Sequence, residues 1–283
     1  MLFSQRIGKK PVKTALQIDD IDGELRNRLW DCLDMFFWQK CDNTYTPHCN
    51  LYPVFTAIWH RHFKTPIDTI EDRSYKAINY IRRYFFSSAW YDVYEFIEFM
   101  ESLDYRNFSP TGKFADLCNV VLEQEKSCYR FIEGIISPIN SEIEIKAIVE
   151  SVNSAEKIGL RGVSTQLKSA LIKLSDRKTP DYRNSIKESI SAVESIAISI
   201  SEDTKASLPD ALKNVEKKIG LNPALKSAFS TLYGYTSTSD GIRHALLEEA
   251  NIDFDDAKYM LVSCSAFINY LISKCAKKGI KLS

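Results

Sequence analysis

The stretch Asp253-Phe-Asp-Asp-Ala-Lys-Tyr-Met-Leu-Val-Ser-Cys-Ser-Ala-Phe-Ile-Asn-Tyr-Leu-Ile-Ser-Lys-Cys-Ala-Lys-Lys278 decides the fold class. It opens on Asp253, Asp255 and Asp256 and closes on Lys274, Lys277 and Lys278, the sign of charge that each end of a helix dipole favours. Between Met260 and Ile272 nearly every residue is apolar or small, so this is expected to be a central core helix of an all-α bundle. No stretch of the chain reaches the roughly 18 uninterrupted apolar residues that span a bilayer. Met1-Leu-Phe-Ser-Gln-Arg6 leads at once into charged sequence and offers no signal-peptide core, so the expected address is cytoplasmic, with no membrane partner.

Working upstream, Asn222-Pro223 begins another helix, and the helix before it, over about 208–219, ends at Gly220, a residue suited to the left-handed position past a C-terminus. Thr179-Pro180-Asp181 is a helix start, with proline free to take the first helical position and Thr or Asp oxygen accepting backbone N–H groups. Tyr182, Ile186, Ile190, Val193, Ala197 and Ile200 then form one apolar stripe. From Ser141, two more helices carry Ile143, Ile145, Ile148 and Val149, then Val163, Leu167, Leu171 and Leu174, with Gly159 and Gly162 at the turn.

In the first half, three-and-four spacing predicts helices over 18–40, 51–63, 68–86 (beyond Pro66), 90–103 and 111–126, the last capped by Thr111. Cys128-Tyr-Arg-Phe-Ile-Glu-Gly-Ile-Ile-Ser-Pro138 breaks the pattern. Aromatic and β-branched residues flank Glu133-Gly134, which predicts a small β-hairpin. The expected organisation is mainly all-α: an N-terminal helical domain over 1–138 that ends on the hairpin, then a helical domain over 139–283.

The 283 residues suffice for two modest cores, and 45% apolar with 26% charged residues is the composition of a folding chain. Lys+Arg 37 against Asp+Glu 37 cancel, so any nucleic-acid contact must come from a local patch. The seven cysteines are odd in number and lack the spacing of a zinc knuckle or a redox pair, so they read as reduced and mostly buried. No glycine-rich nucleotide loop or serine-nucleophile elbow is present, and no cofactor is expected.

Several strings resemble a known family. Leu174-Ser-Asp-Arg-Lys-Thr-Pro-Asp-Tyr-Arg-Asn-Ser-Ile-Lys-Glu-Ser-Ile-Ser-Ala-Val-Glu194, Leu232-Tyr-Gly-Tyr-Thr-Ser-Thr-Ser-Asp-Gly-Ile-Arg-His-Ala245 and Phe254 to Tyr270 resemble the HEPN-type domain of AbiJ-like abortive-infection proteins. Phe3-Ser-Gln-Arg-Ile-Gly8 and Leu25-Arg-Asn-Arg-Leu-Trp30 resemble the N-terminal domain that accompanies it, with a sensing or partner-binding role. The resemblance implies a HEPN-like four-helix bundle, frequently dimeric, whose active members are metal-independent ribonucleases marked by an arginine and a histidine a short spacer apart. His244 stands at the histidine position, but Ser239, Thr238 and Ser237 occupy the places for the arginine, and the nearest arginine is Arg243.

Metal-independent RNA cleavage needs a base for the 2′-hydroxyl, an acid for the leaving oxygen and a cation facing the phosphate. Asp240, Arg243 and His244 supply those types. In a helix starting at Asp240, Arg243 and His244 fall at i+3 and i+4, and the dipole disfavours imidazolium in that first turn. Helical neighbours point about 100° apart, so a single chain aims the two differently and a homodimer through the C-terminal bundle would reunite them. Phe229, Tyr233 and Tyr235 suit such an interface or, equally, the core. The bland alternative is a Ser239 or Asp240 helix cap followed by surface charges.

Arg183, Asn184 and Glu188, with Tyr235 and Ser239, read as residues lining an RNA groove or as a solvated face. His60, Arg61 and His62 lack an acidic partner at ligand spacing, so no metal site is expected. Lys9, Lys10, Lys13, Arg26 and Arg28 form a basic stretch that is either a phosphate contact or a solvated face. Two functions follow: an anti-phage endoribonuclease toxin acting on host or phage RNA, tRNA included, or a non-catalytic RNA- or protein-binding module. An antitoxin or a phage trigger protein would be a further partner.

Overall fold

The structure, a computed structural model, describes residues 3–9, 16–104, 112–176, 179–237 and 252–282. The protein is mainly α-helical, with one two-stranded antiparallel hairpin among the described residues. It divides into two compact units, Met1–Asn140 and Ser141–Ser283.

The first unit holds α1 (Phe3–Arg6), α2 (Gly23–Phe36), α3 (Tyr52–Ala57), α4 (Ser74–Ser87), α5 (Trp90–Glu101), α6 (Lys113–Gln124), β1 (Arg130–Ile132) and β2 (Ile135–Ser137). Sequence reasoning placed the start of α2 at Ile18, but the chain there is held extended. Gln17 N–H donates to the Lys126 carbonyl at 2.8 Å, Cys128 N–H donates to the Gln17 carbonyl at 2.9 Å, and Asp22 N–H donates to Gln17 Oε1 at 2.7 Å. Asp22 then caps the helix by accepting from Leu25 N–H at 2.8 Å. α4 likewise begins at Ser74 rather than Asp68. The backbone at 72–74 pairs with 44–46 instead, with Thr46 N–H on the Asp72 carbonyl at 2.9 Å and Ser74 N–H on the Thr44 carbonyl at 3.1 Å.

The helix expected over 51–63 runs as α3 and then widens into a π turn, Ile58–Phe63, which stops at Lys64 in the left-handed region (φ 55°). The Thr111 cap lies outside the described residues; α6 starts after Gly112 (φ 79°). The hairpin is found where predicted. Glu133 (φ 51°) and Gly134 (φ 79°) make a two-residue turn that needs left-handed backbone twice, and Phe131 pairs with Ile136. Aromatic rings fill the core of this unit: Phe37, Trp38, Phe55, Trp59, Phe85, Phe96 and Phe114 are all buried.

The second unit holds α7 (Glu142–Lys157), α8 (Arg161–Ser175), α9 (Tyr182–Ser201), α10 (Leu208–Ile219), α11 (Pro223–Ser237) and α12 (Phe254–Lys277). α7 packs on α8, α8 on α9, α9 on α12 and α12 back on α7, which closes a four-helix bundle; α10 lies against α9, and α11 against α10. α12 is the described helix that is long and apolar enough to cross a membrane by length and composition. Here it is a core helix. Leu261, Cys264, Phe267, Ile268 and Leu271 are buried, and Asn269 Nδ2 donates to the Ala147 carbonyl of α7 at 2.9 Å. Asp253 caps it reciprocally with Asp256, as its opening acids foretell. Gly220 ends α10 at φ 69°, and Ser141 caps α7. Pro180, expected inside α9, sits just before its cap, Asp181.

Candidate functional site

Of the residues the sequence singles out for chemistry, Ser239, Asp240, Arg243 and His244 lie outside the described residues. Tyr235 falls within α11, and its side chain is likewise outside what the structure describes. The described flanks of that segment are informative. α11 ends at Ser237 and α12 starts at Phe254, whose ring meets Tyr182 edge-on at 6.3 Å. The starts of α9 and α12 therefore lie side by side, and Arg183 and Asn184 sit in the first turn of α9 beside them.

The three α9 candidates are half-buried and already engaged. Asn184 belongs to the cap, with its N–H on Asp181 Oδ1 at 3.1 Å and its Nδ2 on Asp181 Oδ2 at 2.7 Å. Glu188 faces α8, where Lys173 Nζ lies 3.6 Å away. One turn earlier, Ser185 Oγ donates to the Ala170 carbonyl of the same helix at 2.8 Å. Arg183 has interactions of its own. These contacts hold α9 to its neighbours and leave Glu188 and Asn184 with structural partners.

Phe229 is in the core, stacked on Phe267 of α12 with centroids 3.5 Å apart, so of the two open readings of that ring the intramolecular one holds. Tyr233 is half-buried. A shallow depression of about 480 Å³ lies at the opposite end of α9, lined by Gly159, Arg161, Ser195, Ser199, Glu202 and Thr204, and none of the predicted site residues borders it.

In the first unit, His62 is turned inward from the π turn. Its Nε2 lies 3.0 Å from Tyr84 Oη, and its ring packs on Phe96 and Phe99 at 5.2 Å each. Burial pulls its pKa down, against the pull of Glu95 and Asp92, so it rests as a neutral imidazole. Among the described residues no group of three or more His, Cys, Asp or Glu is arranged so that it could hold a metal ion. Arg26 serves the backbone. It donates to the Phe85 and Ser88 carbonyls at 2.6 and 2.8 Å, closing the C-terminal end of α4. Arg28 pairs with Glu125 at 2.6 Å. Lys10 and Lys13 lie outside the described residues.

The seven cysteines are free, five of them buried. Burial pushes the Cys41 and Cys264 thiols up to about 12, which makes them poor nucleophiles. What sequence reasoning missed is the outer face of α4, where Arg82 and Arg83 lie against aromatic rings and Tyr75 and Tyr80 are exposed. The signal was present: Arg73 to Tyr91 contains no acidic residue.

Compared with known families, residues 1–154 match AbiJ N-terminal domain 4. The match takes in the whole first unit and most of α7. No curated protein and no solved structure gives a match to the chain.

Proposed function

The chain belongs to the AbiJ N-terminal domain 4 family, which sets it in an abortive-infection, anti-phage context, and we propose that within this context it is an RNA-directed effector. The first unit senses a phage trigger or binds a partner such as an antitoxin. The second unit is a HEPN-like bundle that cuts host or phage RNA without a metal, with Asp240, Arg243 and His244 carrying the chemistry in the cytoplasm.

The observation that carries the reading is the closed α7–α8–α9–α12 bundle, joined to the pairing of Tyr182 with Phe254. α12, which follows Asp240, Arg243 and His244 in the chain, begins beside the first turn of α9, where Arg183 sits. A homodimer through the second unit belongs to the same proposal, because neighbours on a regular helix point about 100° apart and a two-fold partner would bring one chain's Arg243 to the other's His244. The absence of an arginine at Ser237, Thr238 and Ser239 favours a second reading, a non-catalytic RNA- or protein-binding module.

Growth on induced expression separates the two. For the effector, wild type arrests growth while Arg243→Ala and His244→Ala do not. Arrest by all three, or by none, overturns the catalytic reading.

A further inference from the structure

Some exterior cations of this neutral chain sit against carboxylates, as Lys76 does with Asp72 at 2.8 Å and Lys213 with Asp210 at 2.9 Å. The arginines on the outer face of α4 do not. Arg73, Arg82 and Arg83 are exposed, and among the described residues no carboxylate lies within ion-pair distance of any of them. Two of them have aromatic neighbours instead. The Arg82 guanidinium rests 5.2 Å over the Trp30 ring and 4.7 Å over Phe86, and that of Arg83 lies 5.9 Å over Tyr80. Such contacts hold a guanidinium in place without neutralising it.

The rest of the face is of the same kind. Tyr75, Asn79, Arg82 and Phe86 recur at helical spacing along one stripe, and Lys76, Tyr80 and Arg83 along the next. Tyr75 is 49% and Tyr80 41% exposed, so both present ring faces to solvent. Tyr80 also touches Trp59 and Phe63 of the π turn, at 5.2 and 5.8 Å. The 14 residues of α4 give this face a length of about 20 Å.

We infer that the outer face of α4 in the first unit binds single-stranded RNA, with Arg73, Arg82 and Arg83 on phosphates and Tyr75 and Tyr80 stacking on bases. The chemistry selects that partner. Unpaired arginines call for a polyanion, and exposed rings between them call for a partner with free flat faces, which a single strand offers and a duplex hides. An acidic protein segment would answer the charge and leave the rings unused. The inference goes beyond ribonuclease activity and stands whether or not the second unit cleaves.

The test is fluorescence anisotropy of the full chain with a labelled oligouridylate, repeated with the deoxy strand, which has no 2′-hydroxyl to attack. Log affinity should fall with log salt, and Arg82→Ala/Arg83→Ala should reduce the magnitude of that slope by about 1.4, roughly 0.7 per lost phosphate contact. Tyr75→Ala, at an exposed position, should weaken binding roughly 5- to 150-fold with an unchanged melting curve. Lys277→Ala/Lys278→Ala, on the second unit, should change neither. Wild-type affinity and slope in the α4 variants, or equal losses in the lysine control, would overturn the inference. So would duplex RNA binding as tightly as the single strand, or polyglutamate displacing the strand with Tyr75→Ala binding normally.

Discussion

Replacing Arg26 by alanine separates a structural arginine from a phosphate-binding one. Arg26 Nη1 donates to the Phe85 and Ser88 carbonyls at 2.6 and 2.8 Å, at the end of α4 where helix carbonyls lack intrahelical partners and the dipole is negative. A hydrogen bond from a charged donor contributes about 1.5–3 kcal/mol. Arg26 is half-exposed, so water replaces part of both bonds, and the expected loss is about 2 kcal/mol in total. All four tryptophans, Trp30, Trp38, Trp59 and Trp90, lie in the first unit, so tryptophan fluorescence reports its unfolding without interference from the second. With a urea slope of about 2 kcal/mol/M, the midpoint should drop by about 1 M. Arg26→Lys should fall between the two, because an ammonium lacks the planar fork. RNA affinity should not change. A wild-type midpoint together with weakened RNA binding would refute this assignment.

Other perturbations probe the rest of the structure. Phe229→Ala removes the ring stacked on Phe267 and should cost about 3–5 kcal/mol in the second unit, seen as a lower thermal midpoint by circular dichroism with no change in light-scattering mass. Gly134→Ala puts a Cβ at φ 79° and should cost the first unit about 1–2 kcal/mol, read as a lower urea midpoint. His62 gives a pH signature: burial lowers its folded pKa, so the unfolded chain takes the proton first as pH falls below about 6.5. Its contribution is full above that value and shrinks toward the folded pKa. The half-buried Glu98 and Glu101 carboxyls, raised by their partial burial, act in the opposite sense as pH falls. The stability difference between wild type and His62→Gln should therefore narrow as the buffer goes from neutral to mildly acidic, and a constant difference would contradict the burial of His62.

Local chemistry made much of the fold legible. The capping acids and closing lysines of α12, Gly220 after α10 and the Glu133-Gly134 turn each fix an element through residues adjacent in sequence. Long-range partners were not legible. Nothing near Asp68 announces that 72–74 will pair with 44–46, and nothing near Ile18 announces Lys126 and Cys128. The same limit governs the site. Glu188 read as one of three residues on an outer face, but its partner Lys173 is on α8, and Asn184 was needed by the cap of its own helix. Arg26 looked like one of several cations in a basic stretch because the carbonyls it serves are 59 and 62 positions away. The α4 face was hidden for another reason: a neutral total averages away a local run without acids.

The central claim is that the second unit cuts RNA without a metal, through His244. Purified full-length protein incubated with total cellular RNA in EDTA tests it directly, with wild type and His244→Ala resolved on the same gel after circular dichroism shows both folded. The account predicts discrete shortened products with wild type and intact RNA with the variant. Identical products from the two proteins, or intact RNA with both, would contradict it.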